Sequence, residues 1–295
     1  MARISQKTKG ILYVITAAFG FSGMSLFVKL AGDLPSFQKA FFRNFIALIF
    51  VSAMIIKEKV SVFTVKENIP ALFGRCICGT LGLLCNFYAL GTLNLSDANM
   101  LNKLSPFFSI ILSAVLLKER PRVVQVLGVT VAFSGSLLII KPGFENSALI
   151  PATVGALGGL GAGAAYTFVR KLGSRGENSR RIVFWFSVFS CSFCLPFMIF
   201  YYHKMSLAQT IYLILAGTFA CIGQLGITKA YICAPAKEIS VYDYTQVIFA
   251  AIFGYFVFGD IPDLLSIIGY IIICGAGVFM FFYNRTDRLQ KNETV

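Results

Sequence analysis

Long apolar runs and short polar breaks alternate along the whole chain. Ten runs of near-bilayer length can be drawn, at roughly 10–30, 36–56, 69–90, 97–117, 122–140, 149–170, 181–202, 207–231, 237–258 and 263–283. Each approaches the ~20 residues that a helix needs to cross the hydrocarbon core. Within a run the apolar residues are continuous, whereas barrel strands alternate apolar and polar positions. The pattern predicts an all-α polytopic membrane protein with ten transmembrane helices. The breaks are too short to hold a soluble domain, and residues 285–295 read as a polar tail.

Composition supports this class. The chain is 57% hydrophobic and 13% charged, where soluble domains carry about a quarter charged residues. Arg3, Lys7 and Lys9 precede an apolar run from Gly10 to Leu30 that is too long for a signal-peptide core, so it reads as the first membrane helix. The net charge of +13 lies in short runs between spans, with no basic stripe interleaved with base-stacking aromatics, so no nucleic-acid partner is expected. The charge reports topology instead. Basic residues crowd the N-terminus, Lys57/Lys59/Lys66, Lys118/Arg120/Arg122, Arg170–Arg181, Lys229/Lys237 and the tail. The opposite loops carry Lys141 and Lys204, with Lys29 and Lys39 at their rim. The positive-inside rule then places both termini in the cytoplasm and the chain in the cell membrane, with lipid around it. All eight cysteines fall within or beside apolar spans. Cys191 and Cys194 form a CxxC pair with no second pair and no nearby histidine, so they read as packing residues. No metal or cofactor is expected.

The spans fall into two copies of one unit, 1–143 and 144–284. Adding 141 to a position carries Gly20 to Gly161, Phe27-Val28-Lys29 to Phe168-Val169-Arg170, Gly82 to Gly223, Phe108 to Phe249, Pro121 to Pro262 and Gly128 to Gly269. It also carries Asp97 to Glu238 and Glu119 to Asp260. In the second and seventh spans a small shift aligns Arg43 with Arg181. Five spans per unit is an odd number, so the copies insert upside down relative to each other. The two equivalent links agree in charge: KERPR after the fourth span is basic, GDIPD after the ninth is acidic. Inverted repeats are a transporter signature, with the substrate site near the midplane between the copies.

The segment SPFFSIILSAVLLKERPRVVQVLGVTVAFSGSLLIIKPG resembles the EamA-type unit of the drug/metabolite transporter superfamily. The resemblance rests on Ser105-Pro106, the apolar run, Glu119 in a short link and Gly128/Gly135 in the next helix. AFFRNFIALIF in the second span similarly resembles the family's arginine-bearing helix, at Arg43. The likeness covers nearly the whole chain. It implies a ten-helix carrier that works by alternating access, and it gives Arg43 a structural or gating role. It also implies that the third, sixth and eighth spans line the cavity, which makes Asn86, Tyr88, Tyr166 and Gln224 candidate substrate contacts. The second copy departs from the pattern, with Val247 in place of the proline and Asp260 in place of the glutamate.

Helical spacing supplies further candidates. Asn99, Asn102, Lys103 and Pro106 share one face of the fourth span, and Ser240, Asp243, Tyr244 and Val247 share the equivalent face of the ninth. Polar groups at that depth cost several kcal/mol unless they meet water or partners, so the faces line a cavity or form hydrogen-bonded seams. Lys103 either holds an anionic group of the substrate or snorkels to the interface. Asp243 either couples transport to protons or pairs with Lys229 or Lys237 at the rim. On straight helices rising 1.5 Å per residue, Lys103 lies about 10 Å below one face and Asp243 about 10 Å above the other, so no direct bridge is expected. Arg75, like Arg43, lies a turn or two inside its span and either snorkels or serves a structural or gating role, the role also expected of Pro106, Glu119 and Asp260. Glu119 and Asp260 are expected to cap or pin the helices that follow them. Gly155, Gly159 and Gly163 form a small-residue stripe for close packing, or a hinge.

These features favour a secondary transporter of small organic metabolites, monomeric or homodimeric, with amino acids or other carboxylates preferred and protons as a coupling ion. A nucleotide or phosphorylated-metabolite exchanger is the rival within the class. An intramembrane enzyme lacks its usual side chains, since the single histidine, His203, falls in a loop. A membrane scaffold would have polar faces filled by side-chain pairing, with no cavity.

Overall fold

The computed structural model describes residues 5–92, 101–140, 149–259 and 263–293. Ten principal helices run through it: α1 Gln6–Leu30, α2 Ser36–Lys57, α3 Ile69–Thr92, α4 Ser105–Leu116, α5 Val123–Ile140, α6 Leu149–Ser174, α7 Ser179–Phe200, α8 Leu207–Cys233, α9 Thr245–Phe258 and α10 Leu264–Glu293. Eight helical segments are long and apolar enough to cross a membrane, and α4 and α5 supply two shorter apolar helices. Side-chain caps set several starts: the Ser5 hydroxyl accepts from Thr8 N, and Ser206 forms a reciprocal capping box with Gln209.

The halves interlock through close backbone approaches that obey the repeat. In the contact of α1 with α8, a Cβ added at Gly20 would lie 2.5 Å from Gly223 N. In the equivalent contact of α3 with α6, one added at Gly161 would lie 2.8 Å from Gly82 Cα. Gly20 and Gly161 are repeat equivalents, as are Gly82 and Gly223, so one contact is made twice with the two copies exchanged. Without side chains in the way, the helix backbones pack directly, the usual device where lipid offers no hydrophobic drive. The stripe Gly155, Gly159 and Gly163 packs on Leu101, Ser105 and Phe108, where a Cβ would again meet atoms within 2.7 Å. α5 and α10 pair likewise, with Gly128 against Met280 and Gly135 against the Gly269 carbonyl. The architecture is therefore two inverted five-helix repeats.

Two expected spans are not single straight helices. The run drawn at 97–117 breaks at Lys103–Leu104 before α4 starts at Ser105. Pro106 lacks an N–H and its ring would clash with the carbonyl four residues back, so a continuous α-helix through it is disfavoured. The run drawn at 237–258 is a one-turn helix, Ala236–Ile239, then a 3₁₀ turn, Ser240–Tyr244, then α9. No proline breaks this copy. Instead the two broken stretches satisfy each other: Tyr244 Oη donates to Lys103 O at 3.1 Å, and Lys103 Nζ donates to Asp243 O at 3.2 Å. Irregular backbone at membrane depth persists where protein or a wet cavity satisfies its polar groups.

The proposed alignment of Arg43 with Arg181 is not a spatial equivalence. Arg43 stands about two turns into α2, whereas Arg181 lies in the first turn of α7, bonded to the Ser61 carbonyl and paired with Glu177.

Candidate functional site

The breaks in the fourth and ninth spans sit where the two repeats cross, and a cavity of about 90 Å³ opens there. From the candidates named by the sequence it gathers Arg43, Arg75, Asn86, Asn102, Lys103, Tyr166, Gln224 and Asp243. They come from six different stretches of chain. A second cavity, about 490 Å³, lies at the end opposite the termini, lined by Lys29, Asp33, Lys39 and His203 among others. Met24 and Ser25 line both, so the outer cavity, a vestibule, adjoins the central one there.

Lys103 does not snorkel. It is 4% exposed, and its ammonium faces Asp243 Oδ2 at 3.4 Å, the Asp243 carbonyl at 3.2 Å and Gln246 Oε1 at 2.7 Å. The bridge that depth along straight helices argued against is therefore present. Both helices are broken at these residues, and Lys103 and Tyr244 are repeat equivalents. Residues close to the axis relating two inverted copies must approach their own equivalents, whatever their nominal depth. An ammonium has three protons, and these three acceptors use them.

Arg43 and Arg75 do not snorkel either, being 5% and 2% exposed. Arg43 donates through Nε to Met24 Sδ and through Nη1 to Asn44 Oδ1, both at 3.0 Å, while Asn44 is anchored by Ser190 Oγ at 2.8 Å. Arg75 curls along its own helix over Gly79, where an added Cβ would lie 1.9 Å from Nη1. Its guanidinium stacks on Phe186 at 4.1 Å, and Nε and Nη1 have no hydrogen-bond partner. The Tyr166 ring stacks on Tyr231 at 4.9 Å, and Tyr231 Oη joins Ser109 and Ser240 in a hydroxyl cluster with spacings of 3.2–3.4 Å.

Other candidates lie elsewhere. Tyr244 is fully buried and acts on the Lys103 backbone, not on the cavity. Tyr88 is 43% exposed and points away from the cavity formed by its neighbours on α3. A one-residue step on a helix turns a side chain by about 100°, and Asn86 and Tyr88 differ by two. Pro106 occupies the first turn of α4. Glu119 pairs with Arg170 at the end of α6, at 2.8 Å, which is a cross-repeat tie in place of the expected cap on the following helix. Asp243 pairs with Lys103, whereas Lys237 donates to the Arg120 carbonyl and Lys229 lies over Tyr13. Asn99 and Asp260 lie outside the described residues.

Sequence reasoning missed Gln246, Phe186 and Gly79. Gln246 stands three residues after Asp243, on the same helical face, so spacing alone could have found it. Gly79 stands four after Arg75, a signal that a long side chain is accommodated along the helix. Phe186 had no signal among 30 phenylalanines.

Comparison with known proteins fits this geometry. The model of the EamA-like transporter family matches twice, over residues 8–141 and 150–283. The pseudopaline exporter of Pseudomonas aeruginosa is 33% identical over 90% of this chain and 93% of its own length. Human solute carrier family 35 member G1 is 26% identical over 91% of this chain and 78% of its own, and the S-adenosylmethionine uptake transporter of Rickettsia prowazekii is 22% identical over 90% and 89%. A solved crystal structure superposes with a TM-score of 0.83 over 94% of this chain and 98% of its own, at 15% identity, which speaks for the fold alone. With two family units in tandem and a relative a third identical over nine-tenths of its length, this chain belongs to the EamA-like transporter family and is a multi-pass membrane transporter of small molecules.

Proposed function

We propose that the protein is a secondary transporter that carries small carboxylate-bearing metabolites, amino acids among them, across the cytoplasmic membrane by alternating access. The observation that carries this reading is the cavity between the repeats, whose described lining residues include three cations, Arg43, Arg75 and Lys103, and the single carboxylate of Asp243. A scaffold would have no such space. The surplus of cations favours an anionic cargo, and the name of the pseudopaline exporter supports export. Residues 1–143 and 144–284 act as the two moving units, with both termini in the cytoplasm, as the basic loops require. The vestibule then faces outward. Protons are the proposed coupling ion, and the buried Lys103–Asp243 pair is their proposed station.

Purified protein reconstituted in liposomes, screened by thermal shift against metabolite pools and followed by flux of any hit, tests the reading. The expected result is ligand-dependent stabilisation, then flux that rises when a proton gradient is imposed. No stabilisation and no flux across broad pools would remove the carrier reading, and gradient-independent flux would remove the proton.

A further inference from the structure

The cavity holds three cations, and they are not alike. Lys103 is saturated, its three protons taken by Asp243 and Gln246. Arg43 has committed Nε and Nη1 to Met24 and Asn44. Arg75 has committed nothing: it is 2% exposed, Nε and Nη1 are without partners, and its one named contact is the Phe186 ring. Nε and Nη1 lie on different edges of the guanidinium, and each edge pairs one of them with Nη2, so the two oxygens of a carboxylate can fork on Nη2 together with either one. A buried charge without a partner is strongly disfavoured, and among the described residues neither arginine has a carboxylate within ion-pair distance. Once Lys103 and Asp243 cancel, the surplus in the cavity is the two arginines.

We propose that Arg75, and not Lys103, is the anion anchor of this cavity, and that the cargo is a small organic dianion with one carboxylate forked on Arg75 and the second facing Arg43. The proposal rests on the transporter reading and names its substrate class. Phe186 and Gly79 are positioning residues. The ring covers one face of the guanidinium, which leaves its edge as the binding surface. The missing Cβ at Gly79 makes room for Nη1. This assignment explains a pairing that otherwise has no use: an arginine folded back along its own helix, inside the bilayer region, with donors idle.

The test is thermal-shift titration of the purified full chain, at fixed ionic strength, with succinate, acetate, succinamide and inorganic phosphate. Succinate is expected to bind at least tenfold more tightly than acetate, with succinamide silent. Arg75→Gln should weaken succinate at least tenfold, and Arg75→Lys should recover part of that loss, since an ammonium keeps the charge but not the fork. Gly79→Ala should weaken succinate with the charge unchanged, which keeps the test valid if Arg75→Gln fails to fold. A purely structural Arg75 would lower ligand-free stability and leave the succinate affinity of the folded fraction alone. Wild-type affinity in Arg75→Gln or Gly79→Ala, equal stabilisation by succinamide, stabilisation by phosphate but not succinate, or silence toward all four would each overturn the proposal. Because this readout is binding, it separates from the transporter reading: succinate binding without any flux would sink the carrier and leave the anchor, and flux of a dianion through Arg75→Gln would do the reverse.

Discussion

Among the described residues, equivalent positions at the two ends of the molecule make different contacts. At the end that carries the termini, Arg170 pairs with Glu119 at 2.8 Å and also donates to the Ile232 carbonyl. Lys7 reaches Glu238 at 3.4 Å, and Lys237 donates to the Arg120 carbonyl at 2.9 Å. Three of these four ties cross between the repeats, and together they hold that end. At the opposite end the repeat equivalent of Arg170 is Lys29, which stands over the ring of Phe258 at 4.3 Å and lines the vestibule. The difference teaches that equivalent halves need not give identical ends. An inverted pair can tie one end more tightly than the other.

The largest effects should come from what the two ends share. Gly20→Ala and Gly161→Ala each push a Cβ into backbone of the partner helix, and each should destabilise by about 2 kcal/mol. Equal losses by thermal unfolding in nanodiscs would place the asymmetry in the end contacts, and strongly unequal losses would place it in the helix packing itself.

Breaking the tied end comes next. Arg170→Ala removes a partly buried pair and a carbonyl bond, about 1–2 kcal/mol, which is roughly a tenfold shift toward opening at that end. Labelling of a cysteine introduced near Glu119 should accelerate by that factor, and an unchanged rate would mean that the tie does not hold the end shut. Glu119→Gln should act in the same direction and more weakly, since a neutral acceptor remains.

Acid gives a third, smaller lever at the same end. Burial pushes the Glu177 carboxyl up, but hydrogen bonds from Thr64 and Asn68 and the charge of Arg181 outweigh it and hold the group below its ordinary value of 4.5. Its stabilisation is full above that ordinary value and is lost as pH falls through the lowered one. Wild-type protein should therefore lose thermal stability on acidification below about pH 4.5, while Glu177→Gln is less stable at neutrality and flatter on the acid side. Parallel acid limbs for the two proteins would remove Glu177 from the account.

The smallest effect belongs to the open end. Lys29→Ala removes a cation–π contact of about 0.5–1 kcal/mol and should leave labelling at the other end unchanged. A response as large as that of Arg170→Ala would abolish the contrast between the ends.

Much of the site was legible before any coordinates. Asn102, Lys103 and Asp243 were found by helical spacing, and Asn86, Tyr166 and Gln224 by family likeness, and all six line the cavity. Tyr88 and Tyr244 were not separable from them, because a helix turns its faces within one or two residues and an uncertain boundary blurs which face is which. For the arginines, sequence left snorkelling open, and burial removes it. A lone arginine inside a span invites snorkelling, and only packing shows that Arg75 is sealed by Phe186 and accommodated by Gly79.

By itself, the sequence determined the membrane class, the ten spans, the five-plus-five repeat and its inversion. Each of these depends on properties that add along the chain: apolar length, loop charge, and an offset of 141 between matching residues. Tertiary structure decided the pairing of Lys103 with Asp243, the idle donors of Arg75 and which end is tied more tightly. Those depend on where two broken helices cross and on which distant side chains meet there, and no local pattern along the chain carries that distance.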